Sequence, residues 1–225
     1  MGSVPRMAHG TDDTGPFTSP RATAGQRSEA NRWREVVEAA ATLFYQQGYE
    51  STSVNDIAAT LRITKGSLYH YVDSKEDLLY AIISDVHALT TELLQDRPTE
   101  GDALTRLWSY FVGHVRLNVE HLHAATLVYR DLEHLGADRR REIVTIRDEL
   151  QAHVRALLQE AVDQGLTRRD LDVKVSSILM FSVANAVYQW YQPAGGRSPE
   201  EVAIAVATFA VRGVAAGPWD PPPPP

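Results

Sequence analysis

Between residues 30 and 214 the apolar positions recur at helical spacing, and no window alternates with period two. Residues 30–47 carry Trp33, Val36, Val37, Ala40, Leu43 and Phe44 on one stripe and end at Gly48, a residue suited to a helix C-terminus. Ser74 opens a long helix with Asp77 completing a capping box, and Leu78, Leu79, Ile82, Ile83, Val86 and Leu89 form its stripe until Arg97-Pro98 breaks it. Thr99 with Asp102 predicts the next start, and that helix carries Leu104, Leu107, Trp108, Phe111 and Val115 to about Glu120. Further helices are predicted near 123–134, from Asp138 to Gln164 with a stop at Gly165, and from Asp170 or Asp172 to about Tyr191. A last one runs to about Val214, with Ser198, Pro199 and Glu201 as N-cap, first and third residues. The expected fold class is all-α, with about nine helices.

The stretch from 51 to 75 has a different rhythm: two short helices joined by a tight turn. Ser53 caps the first, with Asp56 in the capping-box position, and Ile57, Ala58 and Leu61 supply one buried face. Arg62-Ile63 closes the turn, and Thr64 caps a second helix predicted from Lys65 to about Tyr71. Its first residues, Thr64, Lys65, Gly66 and Ser67, are small, hydroxylated or basic, whereas Leu68 points inward. A helix-turn-helix has this form, its second helix laying its N-terminal end against base edges in the major groove. Small residues there let the helix reach the groove floor.

Charge narrows how such binding works. The chain has 225 residues and a formal net charge of −7. Residues 29–75 hold five basic side chains (Arg32, Arg34, Arg62, Lys65, Lys75) against six acidic ones (Glu29, Glu35, Glu38, Glu50, Asp56, Asp73). A broad basic face is therefore excluded, and binding has to rest on a few placed cations, hydroxyls, backbone N–H groups and helix N-termini. Weak binding per subunit favours a dimer on two half-sites. The chain has no cysteine, which excludes disulfides, thiol catalysis and cysteine-bound metal. No apolar run reaches the ~20 residues of a membrane span, and no signal-peptide core is present, so a cytoplasmic protein is expected. Four segments follow: a disordered arm over 1–28, in which Arg21 and Arg27 are solvated; a helix-turn-helix domain over 29–75; a larger helical domain over 76–216; and a disordered Pro-rich tail over 217–225.

The order of helix, helix-turn-helix, capped long helix and all-helical remainder resembles the TetR family of transcriptional repressors. Ala39-Ala-Ala-Thr-Leu-Phe, Gly48-Tyr49, Thr52-Ser-Val-Asn-Asp-Ile-Ala, Gly66-Ser-Leu-Tyr-His-Tyr and Ser74-Lys-Glu-Asp-Leu-Leu carry the likeness over residues 30–82. Tyr71 and Val72 depart from it, standing where histidine and phenylalanine are common. The resemblance implies an operator-binding homodimer paired through its last two helices, with a ligand pocket that resets the spacing of the reading heads. Combined with side-chain chemistry, it places Ser53 near a phosphate, Asn55 at a base edge, and Lys65 and Ser67 facing the groove. Gly66 permits close approach, Thr64 caps and donates, His70 lies in the same reading segment, and Tyr69 and Lys75 hold flanking phosphates. Tyr71 is expected in the core.

The larger domain reads as an aromatic-rich interior with polar handles: Trp108, Phe111, His114, Tyr129, His153, Phe181, Asn185, Tyr188 and Trp190. Such a lining suits a sizeable, mostly apolar effector anchored by hydrogen bonds. The string Tyr188-Gln-Trp-Tyr-Gln-Pro-Ala-Gly-Gly-Arg-Ser-Pro-Glu-Glu-Val resembles TetR-like repressors of lipid and steroid breakdown, some of which sense acyl-CoA thioesters. That subgroup often has arginines where this chain has Gln189 and Gln192, which removes two cations from a CoA phosphate. Surplus apolar residues on the last two helices, Ile178, Val202, Val206 and Phe209 among them, predict a four-helix dimer interface. His121 and His123, with His114 and His134, do not have metal-ligand spacing, so no metal and no cofactor are expected. No phosphate loop or nucleophile elbow supports catalysis. The rival class is an all-helical carrier or enzyme with an incidental helix-turn-helix.

Overall fold

The computed structural model describes residues 24–95 and 100–223. The fold is all-helical: α1 (Ala24–Gln47), α2 (Val54–Thr60), α3 (Lys65–Leu68), α4 (Lys75–Gln95), α5 (Ala103–Glu120), α6 (Leu122–Arg130), a 3₁₀ turn (Leu132–His134), α7 (Ala137–Asp163), α8 (Val173–Asn185), α9 (Val187–Trp190) and α10 (Pro199–Arg212). With α8 and α9 taken as one helix broken at Ala186, the described residues hold the nine helices expected. They hold no strand, and a single bridge, Thr167 to Ala215, is the only β pairing among them.

Local chemistry places most boundaries. The capping boxes at Ser53/Asp56 and Ser198/Glu201 form as expected, Thr64 caps α3, and Asp172 rather than Asp170 caps α8. Gly165 ends the α7 region in the left-handed conformation, with φ +71°. Asp102 itself caps α5 by accepting from the Thr105 N–H at 2.8 Å, in place of the Thr99 start. Thr99 and the break at Arg97-Pro98 lie outside the described residues, as do residues 1–23, Arg21 with them.

Four expectations change. α1 begins at Ala24, so Ala24 to Ser28, assigned to a disordered arm, are helical; Ala24, Gln26 and Arg27 are good helix formers despite the Gly25 between them. The second helix of the helix-turn-helix closes at Leu68, and Tyr69 to Tyr71 form a turn in which the Tyr71 N–H donates to the Leu68 carbonyl at 3.0 Å. The helix expected to run unbroken to Tyr191 divides beside Asn185, whose side-chain oxygen is held by two partners on other helices. The tail from Gly217 is not free before Pro223. Trp219 is half-buried with its ring 6.4 Å from that of Trp108, and its carbonyl accepts from Arg212 Nε at 2.9 Å.

Two hydrophobic clusters organise the molecule. The first joins α1 to α4 with Leu117, Leu127, Val128, Leu135 and Ile143 from α5, α6, the turn and α7. The second is built on α5, α7, α8 and α10 around Trp108, Phe111, Leu158 and Val211, with α10 lying along α5 and Trp108 Nε1 donating to Thr208 Oγ1 at 3.0 Å. That packing buries Val202 and Val206 within their own subunit, at 3% and 8% exposure, so they are not interface residues. The face α10 turns outward carries Phe209, 69% exposed, and α8 adds Val175, Ile178 and Leu179. Helical period alone does not say which of two apolar faces a neighbouring helix takes.

Candidate nucleic-acid interface and internal cavity

The reading motif is built on two buried anchors. Ile57 and Leu68, both fully buried, dock α2 and α3 on the first cluster. Asp56 Oδ2 accepts from the Ser53 N–H at 2.8 Å and from the Ser53 hydroxyl at 2.7 Å, and these bonds hold its carboxyl below the usual range. The Ser53 hydroxyl thus has its one proton engaged inside the cap. The turn is closed by Ile63 N–H to the Ala58 carbonyl at 3.0 Å, with Arg62 in the left-handed conformation at φ +55°, uncommon for any residue that carries a Cβ.

Beyond the turn, Thr64 Oγ1 accepts from the Ser67 N–H at 3.0 Å. Asn55, Thr64, Lys65, Gly66 and His70 are exposed, Ser67 is half-buried, and Tyr69 is 42% exposed with the Lys65 ammonium 5.6 Å from its ring centre. A Cβ placed on Gly66 would meet only Thr64 Oγ1 at 3.8 Å, so the fold itself does not require glycine there. Tyr71 stacks on Trp33 of α1 with ring centres 6.3 Å apart, in the packing role expected.

Lys75 is a correction. Its ammonium donates to the carbonyls of Tyr49 at 2.7 Å, Thr52 at 3.0 Å and Glu50 at 3.2 Å, and lies 4.3 Å from the Tyr49 ring centre. All three of its N–H groups are engaged in closing the loop between α1 and α2, which leaves none for a phosphate. The pairing spans more than twenty residues of sequence, so local spacing gives no sign of it.

The second feature is a cavity of about 270 Å³ lined from α4 (Val86, His87, Thr90), α5 (His114, Asn118), α6 (Val128, Tyr129), α7 (Arg147, Leu150, Gln151) and α8 (Ile178, Phe181, Ser182, Asn185). Of the expected ligand residues, His114, Tyr129, Phe181 and Asn185 meet here. Asn185 Oδ1 accepts from Tyr129 Oη at 2.8 Å and lies 2.8 Å from His114 Nε2, which is also 3.3 Å from Asn118 Nδ2; the shorter contact favours the imidazole proton on Nε2. Tyr188 stands behind the wall, stacked on Tyr129 with ring centres 5.3 Å apart. Trp108 and Phe111 are core residues, and His153 packs edge-on against Tyr110; none of the three lines the cavity. The exposed Trp190 does not line it either.

Sequence reasoning missed His87, Thr90, Asn118, Arg147 and Gln151. Burial, with the Arg147 and His114 charges behind it, pushes the His87 imidazole down to about 4, so it is neutral. Burial also lowers His114, against the pull of its bond to Asn185. The Tyr129 phenol is raised to about 12, chiefly by burial. A histidine four residues from an apolar stripe position carries no cavity signal in sequence.

Between interface and cavity lie direct connections. Arg130 of α6 donates to the Phe44 carbonyl at 2.7 Å and the Tyr45 carbonyl at 3.4 Å, at the C-terminal end of α1, where a cation also meets the helix dipole. His123 stacks on Tyr45 at 4.4 Å, and His134 stacks on Tyr49 at 4.8 Å. Arg139 of α7 pairs with Asp77 and Glu76 at the start of α4.

Comparison with known proteins agrees with this division. The family described as bacterial regulatory proteins, tetR family, matches residues 36–82, and the tetracyclin repressor-like C-terminal domain matches residues 100–214. The HTH-type transcriptional repressor KstR2 of Mycolicibacterium smegmatis is 30% identical over 188 residues, covering 82% of this chain and 91% of that protein. KstR2 of Rhodococcus jostii is 30% identical over 200 residues, with 83% and 93% covered. Among solved structures, AibR in complex with isovaleryl coenzyme A and operator DNA is 27% identical with a TM-score of 0.71, covering 79% of this chain and 97% of that one.

Proposed function

This chain belongs to the TetR family of transcriptional repressors, and from that premise we propose that it is a cytoplasmic homodimer released from its operator when a small, largely apolar effector fills the cavity. The observation that carries the reading is the double duty of two helices. α4 lines the cavity through Val86, His87 and Thr90, while its first residue, Lys75, ties down the loop that leads into the reading motif. α6 offers Tyr129 to the cavity, and the next residue, Arg130, grips the end of α1. A ligand that displaces either helix moves the head with it.

Two recognition helices must lie about 34–36 Å apart to enter successive major grooves, so a shift of a few ångströms is enough for release. The outward faces of α8 and α10, with Ile178, Leu179 and Phe209, pair the two copies in this reading. Acyl-CoA thioesters are the first effector candidates, on the resemblance of the C-terminal string and on the isovaleryl-coenzyme-A-bound relative. Effector and operator then oppose each other by about 1–3 kcal/mol per site.

Operator binding tests the reading, using promoter DNA of this protein's own gene. Lys65→Ala is expected to weaken binding by about 1–3 kcal/mol and to relax preference at one position, as loss of a guanine contact does. Tyr69→Phe is expected to weaken all sequences alike. If both variants bind as the parent does, α3 is not the reading helix. The same titration with acyl-CoA thioesters present reads release directly.

A further inference from the structure

Six apolar or aromatic side chains and eight polar ones line the cavity, and one of the polar ones is a cation that no carboxylate among the described residues pairs. Arg147 lines the cavity from α7, its guanidinium 5.6 Å from the Tyr129 ring centre. None of the ion pairs among the described residues includes it. Every other arginine from Arg130 to Arg141 on α6 and α7 has a carboxylate or a carbonyl partner.

Three buried polar atoms lie in the same wall without a partner: His87 Nε2, His114 Nδ1 and Asn118 Oδ1. Their residues are 5%, 4% and 1% exposed. A buried polar atom left unpaired is destabilising, so three around one space mark a place shaped for a polar group from outside. His87 is neutral and can donate through Nε2, while His114 Nδ1 and Asn118 Oδ1 can accept from a hydroxyl or a held water. The apolar lining residues, Val86, Val128, Leu150, Ile178 and Phe181, make no such demand.

We propose that the cavity takes an organic acid: a compact hydrocarbon body whose carboxylate pairs with Arg147 and accepts a hydrogen bond from His87. An arginine fork matches a carboxylate in two parallel bonds, and inside a protein cavity that pair is stronger than in bulk water. The inference rests on reading the cavity as the effector site, and it sharpens the effector class. A thioester carbonyl could meet His87 but would leave Arg147 uncompensated. A free acid, or an acyl chain with a second carboxylate at its buried end, meets both.

Calorimetry on the full chain tests this with decanoate, cyclohexylacetate and 1-naphthoate, each beside its methyl ester and its coenzyme A thioester. At least one carboxylate is expected to bind about ten-fold or more tightly than its ester, as a charge-assisted bidentate pair implies. Arg147→Met keeps the stem that packs on Tyr129 and is expected to abolish that preference while leaving ester binding unchanged; Arg147→Lys restores part of it. Equal binding of acid and ester across the series, or a preference that survives Arg147→Met, overturns the proposal. So does a thioester that outbinds its acid without regard to residue 147. The effector reading is judged separately: a carboxylate that binds through Arg147 yet leaves operator affinity unchanged upholds the acid site and removes induction through it.

Discussion

The two hydrophobic clusters do not divide the molecule where its sequence domains do. The head cluster takes in not only α1 to α3 but most of α4, the inner face of α6 and the first turns of α7. The base cluster, with its aromatic core of Trp108, Tyr110 and Phe111, gathers α5, α8 and α10. The boundary drawn at residue 75 follows the end of the helix-turn-helix, and the family match runs on to residue 82; the physical seam runs between α4 and α6 on one side and α5 and α8 on the other. The cavity lies on that seam, with Val86 and Val128 from the head cluster facing Phe181 of the base. In the proposed reading a ligand there wedges between two packed bodies and so shifts the reading head.

The sharpest way to break this picture is Leu127→Ala. Leu127 is fully buried on α6 within the head cluster, and its truncation is expected to destabilise the fold by about 2–5 kcal/mol. Hydrogen exchange should accelerate in α1 to α3 and α4 together, while α10 keeps more of its protection. Unchanged protection in α2 and α3 would restore the boundary to residue 75.

Acid distinguishes the seam from both clusters. The His87 imidazole sits near 4 in the folded chain and at its ordinary value near 6.5 when unfolded, because burial, Arg147 and His114 disfavour its charge. The unfolded chain therefore binds the extra proton between those values. Stability is full above about pH 6.5 and is lost as pH falls toward 4, by about 2 kcal/mol at pH 5. Thermal melting against pH should show this slope, and His87→Leu should flatten most of it, with the lowered His114 keeping a remainder. A pH-independent melt over that range would place His87 in water.

The smallest effect lies in the turn of the motif. Arg62→Gly relieves a left-handed backbone and is expected to raise stability by about 1 kcal/mol, read as a higher melting temperature. If φ at residue 62 is ordinary in solution, glycine lowers stability instead, through the entropy of the unfolded chain.

What could be read from sequence was what is local. Ser53 with Asp56, Thr64 with Ser67, and Ser198 with Glu201 each close within four residues, and each formed as expected. The misreadings concern partners far along the chain. Lys75 looks like a free cation until the Tyr49, Glu50 and Thr52 carbonyls are brought to it. Val202 and Val206 look like interface until α5 covers them. Trp219 sits in a Pro-rich tail whose composition reads as unfolded, and contacts made in the fold hold it down: its packing on Trp108, and the bonds from Arg212 to the Trp219 carbonyl and to Asp220. Arg147 comes from a strongly polar helix, and no periodicity separates one charged position there from the next.

The engagement of Lys75 also determines how repression responds to the ionic conditions of the cell. Residues 51–75 contain three cations, Arg62, Lys65 and Lys75, and one of them is withdrawn into the loop. Two per head remain to displace condensed counterions, so each head contributes a slope of only roughly −2 in log affinity against log salt. Its grip on DNA therefore depends more on shape and hydrogen bonding than on the ion atmosphere. In the proposed reading, a rise in salt loosens this head less than it loosens a more cationic one, which leaves release to the cavity.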